Sequence, residues 1–160
     1  MAASTEVLIG DSDGQHLLIR ALTRSHPGLF DHPDADWIVC DVEIAAGGFR
    51  GQFRADLRSE EFQAFLEEVE GLSTMLEGTA AFSAMEGQME VSLAGSANGQ
   101  IGVEGEAVDD AGTGNRLHFA FEIDQTQLPD ITRAVASLLA AFPVTGPSSE
   151  ASASSTSPND

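Results

Sequence analysis

Trp37-Ile38-Val39-Cys40-Asp41-Val42-Glu43-Ile44, the Gly47-Gly48 pair and Phe49-Arg50-Gly51-Gln52-Phe53-Arg54-Ala55-Asp56-Leu57 together decide the fold of this chain. Ile38, Cys40, Val42 and Ile44 alternate with Asp41 and Glu43, and a period of two marks a strand with one buried and one wet face. The glycines supply a turn. The return strand repeats the pattern, with Phe49, Gly51, Phe53, Ala55 and Leu57 on one face and Arg50, Gln52, Arg54 and Asp56 on the other.

Upstream of this hairpin, residues 7–10 and 16–22 read as two short strands joined by the polar turn Asp11-Ser12-Asp13-Gly14. Residues 23–36 read as a surface loop, because Pro27 and Pro33 interrupt any ladder. Downstream, Ser59 is the expected N-cap of a helix, with Glu60 and Glu61 in its first turn and a buried stripe of Phe62, Phe65, Leu66, Val69 and Leu72. Turn signals then divide a second β region into strands at about 79–85, 88–94, 100–108 and 115–123, with links too short for parallel crossovers. Met89, Val91, Leu93, Ile101, Val103, Leu117, Phe119, Phe121 and Ile123 share the apolar side. Glu90, Ser92, Glu104, Glu106, His118 and Glu122 share the other. Thr126 and Pro129 open a second helix striped by Leu128, Ile131, Val135, Leu138, Leu139 and Phe142, which Pro143 ends.

Single-striped helices and one-face-apolar strands bury those faces against each other. The expectation is an α+β two-layer sandwich, an antiparallel sheet of about six to eight strands with two amphipathic helices on one face. It would occupy residues 1–144 as one domain. Residues 145–160 are Gly, Pro, Ser, Ala and Thr with few other types, a composition expected to stay disordered.

The 160 residues are 42% hydrophobic, enough for one core. Seven arginines and no lysine stand against 26 acids, a net charge of -19. That balance argues against nucleic acid or anionic lipid as a partner and favours a basic protein, although solubility or salt adaptation explains acidity equally well. The lone Cys40 lies in an apolar strand pattern and reads as a small core residue. The first residues lack a basic and then apolar leader, and no apolar run is long enough to span a bilayer, so a cytoplasmic protein is expected.

Chemistry is sparse. His26 and His32 share a loop with Asp31, Asp34 and Asp36 but match no metal-ligand spacing, so no metal and no cofactor are expected. Glu104 and Glu106 lie two apart on one strand face, with Glu90, Glu122 and His118 on neighbouring strands. Such carboxylates would suit a hydrolase or sugar-binding protein if they lay in a desolvated cleft, which an exposed sheet face does not provide. No serine or cysteine has a nucleophile's context, and no catalytic residue is expected.

The runs Phe82-Ser83-Ala84-Met85-Glu86-Gly87-Gln88-Met89-Glu90-Val91 and Gly114-Asn115-Arg116-Leu117-His118-Phe119-Ala120-Phe121-Glu122-Ile123-Asp124-Gln125-Thr126 resemble the WapI family of bacterial immunity proteins and related uncharacterised bacterial proteins. Trp37, the stretch from Ala46 to Phe53 and the closing run from Leu138 to Val144 share the resemblance. Residues 1–35 and the tail lie outside it. In that pattern an aromatic commonly follows Asp-Gln-Thr, where this chain has Gln127. The resemblance implies a small cytoplasmic, non-enzymatic protein that neutralises a cognate toxin domain. The carboxylate face, Glu104 and Glu106 first and Glu90, His118 and Glu122 next, is the expected partner surface. A housekeeping domain with salt-adapted acidity is the remaining alternative.

Overall fold

The Gly47-Gly48 hairpin forms as its alternation predicts. Ile38, Cys40, Val42 and Ile44 are wholly buried, and Gly47 takes the positive φ of 60° that the turn requires. Around it the computed structural model, which describes residues 5–28, 33–96 and 98–144, has the order β1 (Glu6–Gly10), β2 (His16–Arg24), β3 (Trp37–Ala46), β4 (Phe49–Arg58), α1 (Ser59–Met75), β5 (Thr79–Ser83), β6 (Met89–Gly95), β7 (Gln100–Val108), β8 (Arg116–Asp124) and α2 (Leu128–Ala141). Short 3-10 turns at Pro33–Asp36 and Gln125–Gln127 precede β3 and α2.

The chain is an α+β fold, and every strand pair is antiparallel. Its eight strands form two four-stranded sheets, β1-β2-β3-β4 and β5-β6-β7-β8. The division follows from the connection. Helix α1, not a hairpin, joins β4 to β5, so the chain leaves the first sheet before the second begins. Four strands and a helix thus occur twice in succession.

The helices are exchanged between these two halves. Helix α1 packs mainly on β5 and α2, while α2 packs on α1 and β1. The rings of Phe62 and Phe65 meet Phe82 of β5 edge-on, with centroids 5.0 and 5.8 Å apart. Both helix stripes and the inner faces of both sheets close on one shared core, each fully buried large side chain contributing about 1.5–3 kcal/mol.

The helix starts differ from expectation. Ser59 is the first residue of α1 and not its cap. It is buried, accepts a hydrogen bond from Arg24 Nη1 at 3.0 Å and donates to Phe142 O at 2.9 Å. It therefore ties the start of one helix to the end of the other. Glu61 does the capping, accepting Arg58 N at 3.0 Å through one oxygen and Met85 N at 2.8 Å through the other. Ahead of α2, Asp124 and not Thr126 is the capping side chain, accepting Thr126 N at 3.0 Å. In the segment expected to be all loop, β2 continues to Arg24 and a 3-10 turn precedes β3. The tail at 145–160, His32 and Asp31 lie outside the described residues.

Gln88, just ahead of β6, is buried at 5% exposure, and its Nε2 donates to Arg54 O and Val108 O, 3.2 Å each. One amide therefore bridges the edge strand of the first sheet and the end of β7 in the second. No helix among the described residues is long and apolar enough to cross a membrane.

Candidate functional site

Strand alternation fixes the outer face of the second sheet. It presents Ala81 and Ser83 from β5, Glu90 and Ser92 from β6, Gly102, Glu104 and Glu106 from β7, and Arg116, His118, Ala120 and Glu122 from β8. Register decides which of these meet. Glu90 stands directly opposite Glu106, and Glu106 in turn stands opposite His118. Glu104 sits between Ser92 and Ala120, and Glu122 is opposite Gly102. Two carboxylates facing each other across a ladder repel. Compensation is slight: Arg116 Nη1 lies 3.3 Å from Glu106 Oε1, and His118 Nε2 lies 3.5 Å from Glu104 Oε2. Among the described residues Glu90 and Glu122 have no ion-pair partner.

Small residues hollow this face into an open groove of about 310 Å³. Ala81, Ser83, Ser92 and Gly105 line it with Val91, and Glu90, Glu104, Glu106 and His118 complete the lining. Gly105 is obligatory here, because a Cβ at that position would lie 2.6 Å from the Phe119 ring and 2.8 Å from Glu90 O. Four of the five residues expected on this face therefore share one groove, while Glu122 lies outside it. The small lining residues carry no chemical signal in the sequence and become visible only through strand pairing.

The outer face of the first sheet is built the same way and handles charge differently. Arg20 Nε is 3.0 Å from Glu6 Oε2 and its Nη1 is 3.3 Å from Asp41 Oδ2. Arg50 Nη2 is 3.7 Å from Glu43 Oε2, and Arg54 Nε is 3.8 Å from Asp41 Oδ1. Gln52 Nε2 also donates to Asp41 Oδ2 at 2.9 Å. Three arginines thus pair three of this face's acids, and Asp56 accepts from Ser25 Oγ at 3.3 Å instead.

For catalysis the groove lacks shelter. Glu104 and His118 are each two-thirds exposed and Glu106 is 39% exposed, whereas acid–base pairs work where burial separates their protonation. Burial pushes the Cys40 thiol far above its usual range, which leaves it a core residue. No group of three or more His, Cys, Asp or Glu placed to hold a metal occurs among the described residues.

The sequence profile of the WapI-like immunity protein family matches residues 8–143, and the chain belongs to that family. No curated protein matches it. Among solved structures, a chain described as "Crystal structures of trypanosoma bruciei MRP1/MRP2" is similar over 88% of this chain and 86% of its own, at 11% identity and a TM-score of 0.47. So distant a likeness bears on neither function nor partner.

Proposed function

We propose that this chain is an immunity protein that binds a cognate toxin domain through the outer face of its second sheet and neutralises it by occlusion, without catalysis. Family membership supports an immunity role. The observation that carries the choice of surface is the contrast between two similarly built sheet faces: the first pairs its charges internally, while the second leaves carboxylates around a groove.

A basic patch on the toxin would supply the missing counter-charges. Long-range attraction would speed and orient encounter, while affinity would depend on a few desolvated contacts. The meeting place would be the cytoplasm.

The test is association kinetics with a candidate toxin domain, sought in the reading frames next to the gene for this chain. Glu104→Arg with Glu106→Arg should leave the fold intact, since both side chains point outward, and should slow association at least about tenfold at low salt, about 1.4 kcal/mol. Raised salt should slow the wild type and narrow the gap. Unchanged association by the folded double variant would remove this face and move the search to the 23–36 segment and the turn at 109–114. Binding of an oligosaccharide in the groove, abolished by the same substitutions, would instead favour the sugar-binding reading.

A further inference from the structure

His16 opens β2 yet is only 2% exposed, and every group its ring nitrogens meet is an acceptor. Nδ1 lies 3.0 Å from Asp11 O and 2.9 Å from Gly14 O, and Nε2 lies 2.9 Å from Glu43 Oε2. A neutral imidazole has one N–H, enough for one side of the ring only. Completing both sides takes one more proton, on Nε2 or on Glu43. Arg50 Nη2 at 3.7 Å from Glu43 Oε2 and Arg20 Nη1 at 4.0 Å from Glu43 Oε1 favour the ionised carboxylate, which puts that proton on the ring.

We propose that His16 is held as an imidazolium that donates from both ring nitrogens and serves as a latch on the β1–β2 turn. The turn is closed by Asp11 N to Gln15 O at 2.9 Å and Gly14 N to Asp11 O at 2.8 Å. Gly10 adopts φ +113°, and a Cβ there would sit 2.4 Å from Gln15 O, so the turn has little slack. From it, Gln15 Oε1 accepts Gly47 N at 2.8 Å, and Gly10 N donates to Gln127 Oε1 at 3.2 Å. The latch therefore holds together the tips of both hairpins of the first sheet and the entry to α2.

The charged groups around the ring come from each packed element. Asp11 and Asp13 lie in the turn, Arg20 is on β2, Asp41 and Glu43 are on β3, and Arg50 is on β4. The entry to α2 contributes only the neutral Gln127. Loss of the Nε2 proton would leave a lone pair facing a carboxylate in a buried site, a contact that repels instead of binding.

The experiment uses the full chain and its Glu43→Gln variant, whose amide can accept from Nε2–H or donate to bare Nε2. Nitrogen NMR at about pH 7 should find both His16 ring nitrogens protonated. In the variant Nε2 should be found bare, and in a His16→Ala variant the Gly47 amide should exchange at least about tenfold faster than in the wild type. A bare Nε2 in the folded wild type at about pH 7, or unchanged Gly47 exchange in a folded His16→Ala variant, would overturn the latch. The ring-nitrogen reading stands on the wild type alone if the variant does not fold.

Discussion

The two halves of this chain share a plan and differ in where their polar groups are satisfied. In β1 to β4 the outer charges pair with one another, and the buried polar residue at the start of the second strand, His16, binds within its own sheet. In β5 to β8 Glu90 faces Glu106 across the ladder and has, like Glu122, no ion-pair partner among the described residues, and the corresponding buried residue, Gln88, reaches out to the other sheet. The first half is thus electrostatically closed, while the second is open outward to solvent and inward to its neighbour. A net charge of -19 conceals this, because recognition depends on where charges lack partners more than on their sum.

The helix exchange between the halves offers the largest test. Phe62→Ala removes the ring that α1 lays against Phe82 of β5 and should cost about 3–5 kcal/mol in denaturant unfolding. Amide exchange should rise first in β5, and a rise confined to β4 would mean that α1 serves its own sheet. Next, two strand glycines should separate the halves. Gly105→Ala drives a methyl into Phe119 and Glu90 O and should cost about 1–3 kcal/mol. Gly51→Ala meets nothing within 4 Å and should stay within about 0.5 kcal/mol.

Gln88→Ala strands the carbonyls of Arg54 and Val108 and should cost about 1–2 kcal/mol. A negligible loss, measured by thermal or urea unfolding, would show that the inter-sheet bridge is replaced by water. The smallest effect concerns the helix starts. Burial raises the Glu61 carboxyl above its ordinary value, against the opposing pull of the Arg58 and Met85 amides. The folded chain should therefore take up a proton there before the unfolded one, so this group favours folding as the pH falls from neutral. Carbon NMR should place its midpoint above the usual value of about 4.3. A midpoint at or below that value would mean that the two amide bonds outweigh burial.

Much of this was legible in the sequence because it depends on local period. The alternation in residues 38–44 and 49–57 delivered the central hairpin, and residues 100–108 emerged as a strand with those bounds. The same period placed Glu90, Glu104, Glu106, His118 and Glu122 on one face. It could not say which of them would meet, since register across strands sets Glu90 against Glu106 and sends Glu122 off beside Gly102. Nor could it divide the strands into two sheets, because no residue of β4 or β5 records whether the other is its neighbour. Ser59 misled for a related reason: its hydroxyl suits a cap, but the end of α2, 83 positions away, claims it instead. The internal pairing of Arg20, Arg50 and Arg54 was hidden in the same way, in the pairing of β2, β3 and β4.

The exchange of helices also governs the order in which the molecule can be completed. Within this fold β1 is synthesised before every other element, and the helix that covers it, α2, after all of them. Until α2 emerges, Val7 and Ile9 have no permanent cover from that side, and the first four strands and α1 form an unfinished body with an apolar flank exposed. The halves cannot mature in succession as two beads on a string would. The nascent chain must wait, and cleavage between Met75 and Thr79 would yield two fragments, each carrying the helix that the other needs.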